Sequence, residues 1–231
     1  MHRSRIPVTL VGGLAVAVAL LGSSGPAEAQ GGTIAGEVKF SGTAPAPKVV
    51  KVNKDVEACG QEKKIAEVAV GAGGGLANAI VSVPGAKGAK PAGKAVLDQK
   101  GCEFRPPVLV MAPGDLEILN SDGVLHNIHT FSTANPAVNK AQPKFKKSMT
   151  EKFAKPEVIK VQCDAHSWML GWLVVTEDPT AVTDDKGGFK LENVPAGKHK
   201  VEVLHPILGK QTKEVEVKAG QETKVSFELK K

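Results

Sequence analysis

Short runs of alternating apolar and polar residues recur along the chain, with Gly and Pro residues between them. The clearest runs are TIAGEVKF, NAIVSV, DLEILN, EVIKVQ, WLVVTE, GFKLENV, HKVEVLH, KEVEVKAG and TKVSFEL. Alternation with a period of two places every second side chain of a strand in a core. Because no helix-length crossover separates the runs, we expect antiparallel or Greek-key connections rather than βαβ units. The pattern predicts an all-β protein made of sandwiches or barrels.

Two segments interrupt this pattern. Residues 83–94 combine Gly, Pro, Ala and Lys without a period and predict a surface loop or linker. Residues 140–160 contain seven lysines and two glutamates. Such a run is typical of a solvated loop or of an edge strand that lysine protects from pairing with another chain.

The first 29 residues have the features of a secretory signal. Arg3 and Arg5 precede the apolar run PVTLVGGLAVAVALLG, and AEA at residues 27–29 has the small-x-small form of a cleavage site. The run is too short to span a bilayer comfortably, so an uncleaved membrane anchor is the less favoured alternative. We therefore expect a periplasmic or secreted protein with no stable membrane span after cleavage. An exported protein is not expected to bind nucleic acid, despite its formal net charge of +6.

Composition limits the kind of core that the chain can build. Aromatic residues make up 4% of the sequence and tyrosine is absent, so the core must consist mainly of Val, Leu, Ile and Ala. About 200 residues remain after the signal, enough for one large all-β domain or two small ones.

Three cysteines are present, and an oxidising compartment favours a bridge between two of them. Cys59 and Cys102 lie in polar, turn-like surroundings, EACGQE and KGCEFR, and are the expected disulfide. Cys163 ends the run EVIKVQC, where the alternation points it inward together with Ile159 and Val161. We therefore expect a free, inward-facing thiol at the end of this strand.

The segment QCDAHSWMLG brings three possible metal ligands together: Cys163, His166 and Met169. A second imidazole, from the upstream pair His126 and His129, would complete a His₂Cys set with an axial thioether, which suits a blue-copper electron-transfer site. Three other interpretations remain open. A structural zinc site normally needs a further C-x-x-C pair, a Cys-His nucleophile lacks a matching acid motif here, and the Cys and Met side chains pack equally well in an ordinary core.

Three motifs carry a resemblance to a known family: MAPGDLEILNSD, NSDGVLHNIHTF and CDAHSWMLGWLVV. Over residues 95–177 the chain resembles the cupredoxins, most closely the amicyanin and plastocyanin branch. The resemblance implies a Greek-key β-sandwich that holds one type 1 copper per chain. It assigns His126, Cys163 and His166 as equatorial ligands and Met169 as the axial ligand.

The same resemblance implies roles for neighbouring residues. His129 is left as a structural or hydrogen-bonding residue, and Asn127 is expected to tie the two ligand-bearing segments together. Electrons are expected to leave through the edge of His166, which is the ligand nearest the surface in cupredoxins. Leu125 and Trp168 are expected to form the docking face around it.

The implied activity is single-electron transfer without bond chemistry, so the protein is not expected to be an enzyme. The expected partner is a redox protein, such as a cytochrome or an oxidoreductase, and it is acidic if the lysine-rich run steers it. Two other functions remain open. One is copper storage or delivery with the same ligands, and the other is a β-sandwich interaction protein whose copper is incidental.

The C-terminal sequence AVTDDKGGFKLENVPAGKHKVEVLHPILGK resembles the carboxypeptidase regulatory-like, transthyretin-like β-sandwich. Residues 178–231 supply about four strands, fewer than the roughly seven of a two-sheet sandwich, whereas GGTIAGEVKFSGTAPAP and LANAIVSVPG resemble the missing ones. We therefore expect residues 31–84 and 178–231 to form one discontinuous domain into which the copper domain is inserted, with the disulfide pinning the two domains together. The alternative is a tandem arrangement in which residues 31–94 add strands to the copper domain.

Overall fold

A computed structural model describes Met1 and residues 31–231 of the chain. The predicted secretory signal, apart from Met1, lies outside the described residues. Within the described part, no helix has the length and apolar character that crossing a membrane requires.

Strands account for most of the described residues, so the prediction of an all-β chain is confirmed. The strands are β1 (Gly32–Ser41), β2 (Lys48–Lys51), β3 (Glu62–Ile65), β4 (Ile80–Ser82), β5 (Ala95–Gln99), β6 (Phe104–Arg105), β7 (Val108–Met111), β8 (Gly114–Asn120), β9 (His126–Phe131), β10 (Asn139–Gln142), β11 (Ser148–Phe153), β12 (Glu157–Gln162), β13 (Leu170–Val175), β14 (Thr180–Val182), β15 (Gly188–Val194), β16 (Gly197–His205), β17 (Gly209–Val217) and β18 (Glu222–Lys230). Helical structure in residues 31–231 is confined to the single turn α1 (Val56–Cys59) and a 3₁₀ turn (Ala72–Gly74).

Strands from both ends of the described chain form one pair of sheets, which we call the terminal sandwich. Its sheets have the strand orders β15-β1-β18 and β14-β4-β16-β17. In the first sheet, β1 lies between an antiparallel β15 and a parallel β18. The inward residues of these strands fill one core, which includes Ile34, Val38, Val81, Val201 and Phe227, together with Leu76 from the segment before β4.

The strands between β4 and β14 form a second pair of sheets, which we call the central sandwich. Its sheets have the orders β10-β9-β12-β13-β7 and β11-β8-β5-β6. A separate core lies between them and includes Leu97, Leu116, Ile118, Ile128, Ile159 and Leu173. This second core surrounds the predicted ligands Cys163 and Met169.

The chain enters and leaves the central sandwich at neighbouring points of the terminal sandwich. β4 pairs with β14 in the register Ser82↔Thr180, and the Val83 amide donates to the Pro179 carbonyl at 3.0 Å. A small buried cluster joins the two sandwiches and consists of Ile80, Val108 and Val174. Along the chain, β5–β13 therefore come between the strands β4 and β14 of the terminal sandwich.

Residues 48–65, which we call the cap, pack on a different sandwich from their neighbours in sequence. They comprise the hairpin strands β2 and β3, paired with each other, and the α1 turn between them. Val52 and Cys59 of the cap are buried in the core of the central sandwich, and a disulfide joins Cys59 to Cys102. The cap therefore lies on the central sandwich, although the sequence assigned it to the terminal one, and the bridge anchors it there.

Residues 140–160 contain two edge strands, β10 and β11, with a loop between them, and end in the inner strand β12. β10 lies at the edge of the five-stranded sheet and β11 at the edge of the four-stranded sheet, each with exposed lysines. Charged edge strands resist pairing with other chains, so the lysine-rich composition fits this position.

Candidate metal centre

The proposed ligands come together because two antiparallel strands pair in the five-stranded sheet. His126 is the first residue of β9, and Cys163 directly follows the last residue of β12. The pairing of β9 with β12 places Thr130 opposite Val161. Alternation along β12 points Ile159, Val161 and Cys163 inward, and all three are buried. His166 and Met169 follow in the connection to β13.

Two imidazoles and the thiol converge on one point in the core. The Nδ1 atoms of His126 and His166 lie 3.0 Å apart, and the Cys163 Sγ lies 3.8 Å from the first and 3.9 Å from the second. The side chains of both histidines are 0% exposed. This cluster is one of those in the described residues with metal-ligand spacing.

Two carboxylates hold the outer nitrogens of the imidazoles. The Nε2 atom of His126 lies 2.8 Å from Asp122 Oδ2, and that of His166 lies 3.0 Å from Asp55 Oδ2. An ionised carboxylate only accepts hydrogen bonds, so each Nε2 carries the hydrogen and each Nδ1 of a neutral imidazole presents a lone pair. Two facing lone pairs repel each other, and a cation between them turns this repulsion into attraction. The donor set therefore fits a metal ion.

Burial changes the protonation behaviour of the thiol and of one imidazole. Loss of solvation raises the pKa of the Cys163 thiol, although backbone N–H groups of Asn127, His166 and Ala165 oppose the rise. Burial likewise lowers the pKa of His166, against the effect of its hydrogen bond to Asp55. A neutral His166 is the form that binds metal ions.

Asn127 connects the strand that carries His126 with the segment that carries Cys163. Its side-chain Oδ1 accepts hydrogen bonds from the backbone amides of Asp164, at 2.6 Å, and Ala165, at 3.1 Å. Its backbone amide points at the Cys163 Sγ from 3.5 Å. These contacts fix the start of the loop that carries the proposed ligands.

Met169 closes the same loop. Its amide donates to the His166 carbonyl at 2.9 Å, and its carbonyl accepts from the Cys163 amide at 3.2 Å. The side chain is 1% exposed and belongs to the core of the central sandwich. Three of the proposed ligands thus share one short loop that backbone hydrogen bonds stabilise.

The remaining predicted residues lie around the cluster. His129 is outside it, since its Nδ1 is 3.0 Å from Asp164 Oδ2 and its ring stacks on Phe131. Leu125 is 44% exposed. Trp168 is half-buried. Its Nε1 donates to the Cys102 carbonyl at 3.2 Å, and its ring centroid is 5.1 Å from that of His166.

The expectation that the edge of His166 reaches the surface is not met. The cap lies over this imidazole, whose side chain is 0% exposed, and Asp55 Oδ2 lies 3.0 Å from its Nε2. Sequence reasoning missed both Asp55 and Asp122. The segment NSDGVLH places Asp122 four residues before the proposed ligand His126, and this spacing was a usable signal. Asp55, in contrast, is separated from His166 by 111 residues, and no motif marks it.

Comparison with protein-family models and with curated proteins finds no match. Solved structures are similar over part of the chain. A mutant of amicyanin in the Cu(I) state is 18% identical, with 42% of this chain and 98% of that chain covered and a TM-score of 0.33. A purple cupredoxin from Nitrosopumilus maritimus is 20% identical over 36% of this chain and 100% of that chain, with a TM-score of 0.31. A Cu-containing nitrite reductase from Thermus scotoductus SA-01 is 25% identical over 40% of this chain and 24% of that chain, with a TM-score of 0.32.

Proposed function

We propose that this protein is an exported type 1 copper protein that carries single electrons between redox partners. The proposal depends on one observation: the Nδ1 atoms of two buried imidazoles lie close to each other and to a buried thiol. His126, Cys163 and His166 would be the equatorial ligands and Met169 the axial one, the set that suits blue copper. When bound, copper supplies a one-electron couple at this position.

The surrounding residues prepare these ligands for that role. The Asn127 amide directed at Cys163 Sγ favours the thiolate over the thiol. Asp55 and Asp122 orient the two imidazoles and add negative charge close to a buried cation. Because the ligands are already oriented, little rearrangement is needed when one electron arrives or leaves.

Burial favours an electron carrier over a storage or delivery protein. All four proposed ligands are at most 1% exposed, so exchange of the ion would require the loop or the cap to open. A delivery protein must present its ion to an acceptor, whereas a carrier must retain it. We also propose no bond chemistry, since a substrate needs an open coordination position at the metal.

The proposed partner is an acidic redox protein, a cytochrome or an oxidoreductase, outside the cytoplasm. The Cys59–Cys102 disulfide suits an oxidising compartment. Exposed lysines lie on β10, on β11 and on the loop between them, and Phe145 in this loop is 81% exposed. The positive electrostatic field of these lysines raises the association rate with an acidic protein, and salt weakens this effect.

The visible spectrum of the copper(II)-loaded protein tests the proposal. We expect an intense charge-transfer band from the Cys163 thiolate, and Cys163→Ser should abolish it while the β-sheet circular dichroism remains. His126→Ala should also bleach the protein, whereas the matched control His129→Ala should keep the band, because His129 lies outside the cluster. A colourless loaded protein would refute the type 1 assignment, and bleaching by His129→Ala alone would refute the ligand set.

A further inference from the structure

The cap covers the outer edge of His166. Asp55 reaches the His166 Nε2 from the start of the α1 turn, with its own backbone in the left-handed region at φ 54°. Asp and Asn tolerate this conformation better than most residues, because their short polar side chains bond locally. Asp55 is 28% exposed, while the imidazole beneath it is 0% exposed.

A disulfide holds the cap in this place. Cys59 ends the same α1 turn, and the sulfurs of Cys59 and Cys102 lie within 4.8 Å of each other and of a His166 ring nitrogen. Val52 and Cys59 anchor the cap in the core. Asp55 is therefore fixed relative to His166 by packing and by a covalent link four residues away.

The other end of the disulfide reaches the second imidazole. The Cys102 amide donates to Asp122 Oδ2 at 2.8 Å, and this oxygen is the one that His126 Nε2 contacts. The amide of Gly101 donates to the other oxygen of Asp122. The disulfide thus links the α1 turn next to Asp55, which contacts His166, to the segment that holds Asp122, which contacts His126.

We propose that Asp55 is a positioning residue of the metal centre, held in place by the Cys59–Cys102 bridge, and that the cap closes the edge of His166 to direct contact with a partner. The inference deepens the proposed copper function and rests on it. Asp55 orients the Nδ1 of His166 toward the copper position by accepting a hydrogen bond from the Nε2–H group. The metal centre is then incomplete without a segment that precedes the central sandwich in sequence.

Substitutions at residue 55 separate the carboxylate from the backbone conformation. Asp55→Gly removes the side chain and tolerates φ 54°, and Asp55→Asn keeps an acceptor at the same backbone conformation but removes the charge. Glu57→Gln is the matched control, because Glu57 is an exposed acid of the same α1 turn. Removing an outer partner of a ligand typically costs about 10- to 100-fold in metal affinity.

Copper release to a chelator measures this effect. We expect Asp55→Gly to release copper about tenfold faster or more, Asp55→Asn to lie between it and the wild type, and Glu57→Gln to match the wild type. The double variant Cys59→Ala/Cys102→Ala should also release copper faster, and adding Asp55→Gly to it should have a smaller effect than in the wild type, since coupled groups are not additive. Release at the wild-type rate by Asp55→Gly would overturn the inference.

A measurement on the copper-free protein keeps the two proposals distinguishable. Long-range ¹H–¹⁵N correlations of the imidazole ring should show the hydrogen of His166 on Nε2 in the wild type and a mixture of tautomers in Asp55→Gly. If the wild type never becomes blue but this tautomer depends on Asp55, the copper assignment fails and the positioning role stands. If the wild type is blue and the tautomer is unchanged in Asp55→Gly, the positioning role fails and the copper assignment stands.

Discussion

Glu157 braces the turn that follows β9 against the start of β12, the two strands that lead to the proposed ligands His126 and Cys163. Its carboxylate accepts hydrogen bonds from the amides of Thr133, at 2.6 Å, and Ala134, at 3.0 Å, and from the Ser132 hydroxyl at 2.5 Å. Desolvation opposes the ionised form, but these hydrogen bonds outweigh it and hold the pKa of Glu157 well below its usual range.

We expect Glu157→Gln to lower the free energy of unfolding of the copper-free protein at neutral pH by about 1–3 kcal/mol, because amide donors that faced a carboxylate now face an NH₂ group. The depressed pKa makes this contribution depend on pH. It is fully present above the unfolded-state pKa of about 4.3 and is lost progressively as pH falls toward the folded-state pKa.

Urea unfolding at pH 7 and at pH 3 measures both effects. The difference between wild type and Glu157→Gln should shrink at the lower pH, whereas the exposed control Glu216→Gln should resemble the wild type at both. An equal difference at the two pH values would show that the carboxylate charge has no part in bracing the turn.

At the same scale, the sequence predicts residues that are close along the chain better than residues that are distant. Cys163, His166 and Met169 share one short segment, and the inward alternation of β12 places the thiol in the core. The two histidines upstream were told apart only by the family resemblance. Asp55 had no local signature, because its contact with His166 depends on how the cap folds back over the central sandwich.

At the scale of elements, Thr183 links the two ends of the terminal sandwich. Its hydroxyl donates to the Leu76 carbonyl at 2.6 Å and accepts from the Ala79 amide at 2.9 Å. The next residue, Asp184, accepts from the amides of Lys186 and Gly188, each at 2.8 Å, in the turn before β15. This turn needs Gly187, since its φ is 78° and a Cβ there would lie 2.2 Å from the Val38 carbonyl oxygen. The motif TDDKGGF thus encodes one buried link and one tight turn.

We expect Thr183→Val to destabilise the protein by about 1–3 kcal/mol, because it leaves a buried carbonyl and a buried amide without partners while keeping the side-chain shape. Thermal and urea unfolding measure the loss. The matched control is Thr212→Val, an exposed threonine on β17 of the same sandwich, which should change stability by less than about 0.5 kcal/mol. Equal losses in the two variants would mean that the buried link contributes nothing.

The longer strands were predictable because their alternation reports one buried face. β1, β8, β12, β15, β16 and β18 all alternate in burial as the sequence does. β9 does not follow the pattern, since His126, Asn127 and Ile128 are buried in succession beside the candidate metal centre. β2 and β3 escaped it as well, because they pair only with each other and are mostly exposed.

At the scale of the whole molecule, the terminal sandwich draws on two distant parts of the chain. β15 and β18 flank β1 in one sheet, and β14 and β16 flank β4 in the other. Residues 178–231 alone would therefore lack the middle strand of one sheet and an inner strand of the other. We propose that the parts before and after the central sandwich form one discontinuous domain that folds without it.

A test of this proposal removes two segments, the central sandwich and the cap. In each segment the first and last residues lie close together. Val83 and Pro179 are joined by a backbone hydrogen bond, and Lys48 is opposite Ile65 in the cap hairpin. Short Gly-Ser linkers can therefore replace residues 85–177 and residues 48–65. The second deletion is needed because the cap would otherwise expose the core residues Val52 and Cys59, and the two deletions together remove every cysteine.

We expect the joined protein to be a β protein with one cooperative urea transition, because the core of the terminal sandwich is retained apart from Ala86. Ile80 loses its cover from Val108 and Val174, so Ile80→Thr provides a second version without the newly exposed apolar side chain. Residues 178–231 expressed alone should remain unfolded, since β15 and β18 are not neighbours in their sheet and each pairs there with β1. A folded, cooperative fragment of residues 178–231, together with joined proteins that fail to fold in both versions, would instead support the tandem arrangement.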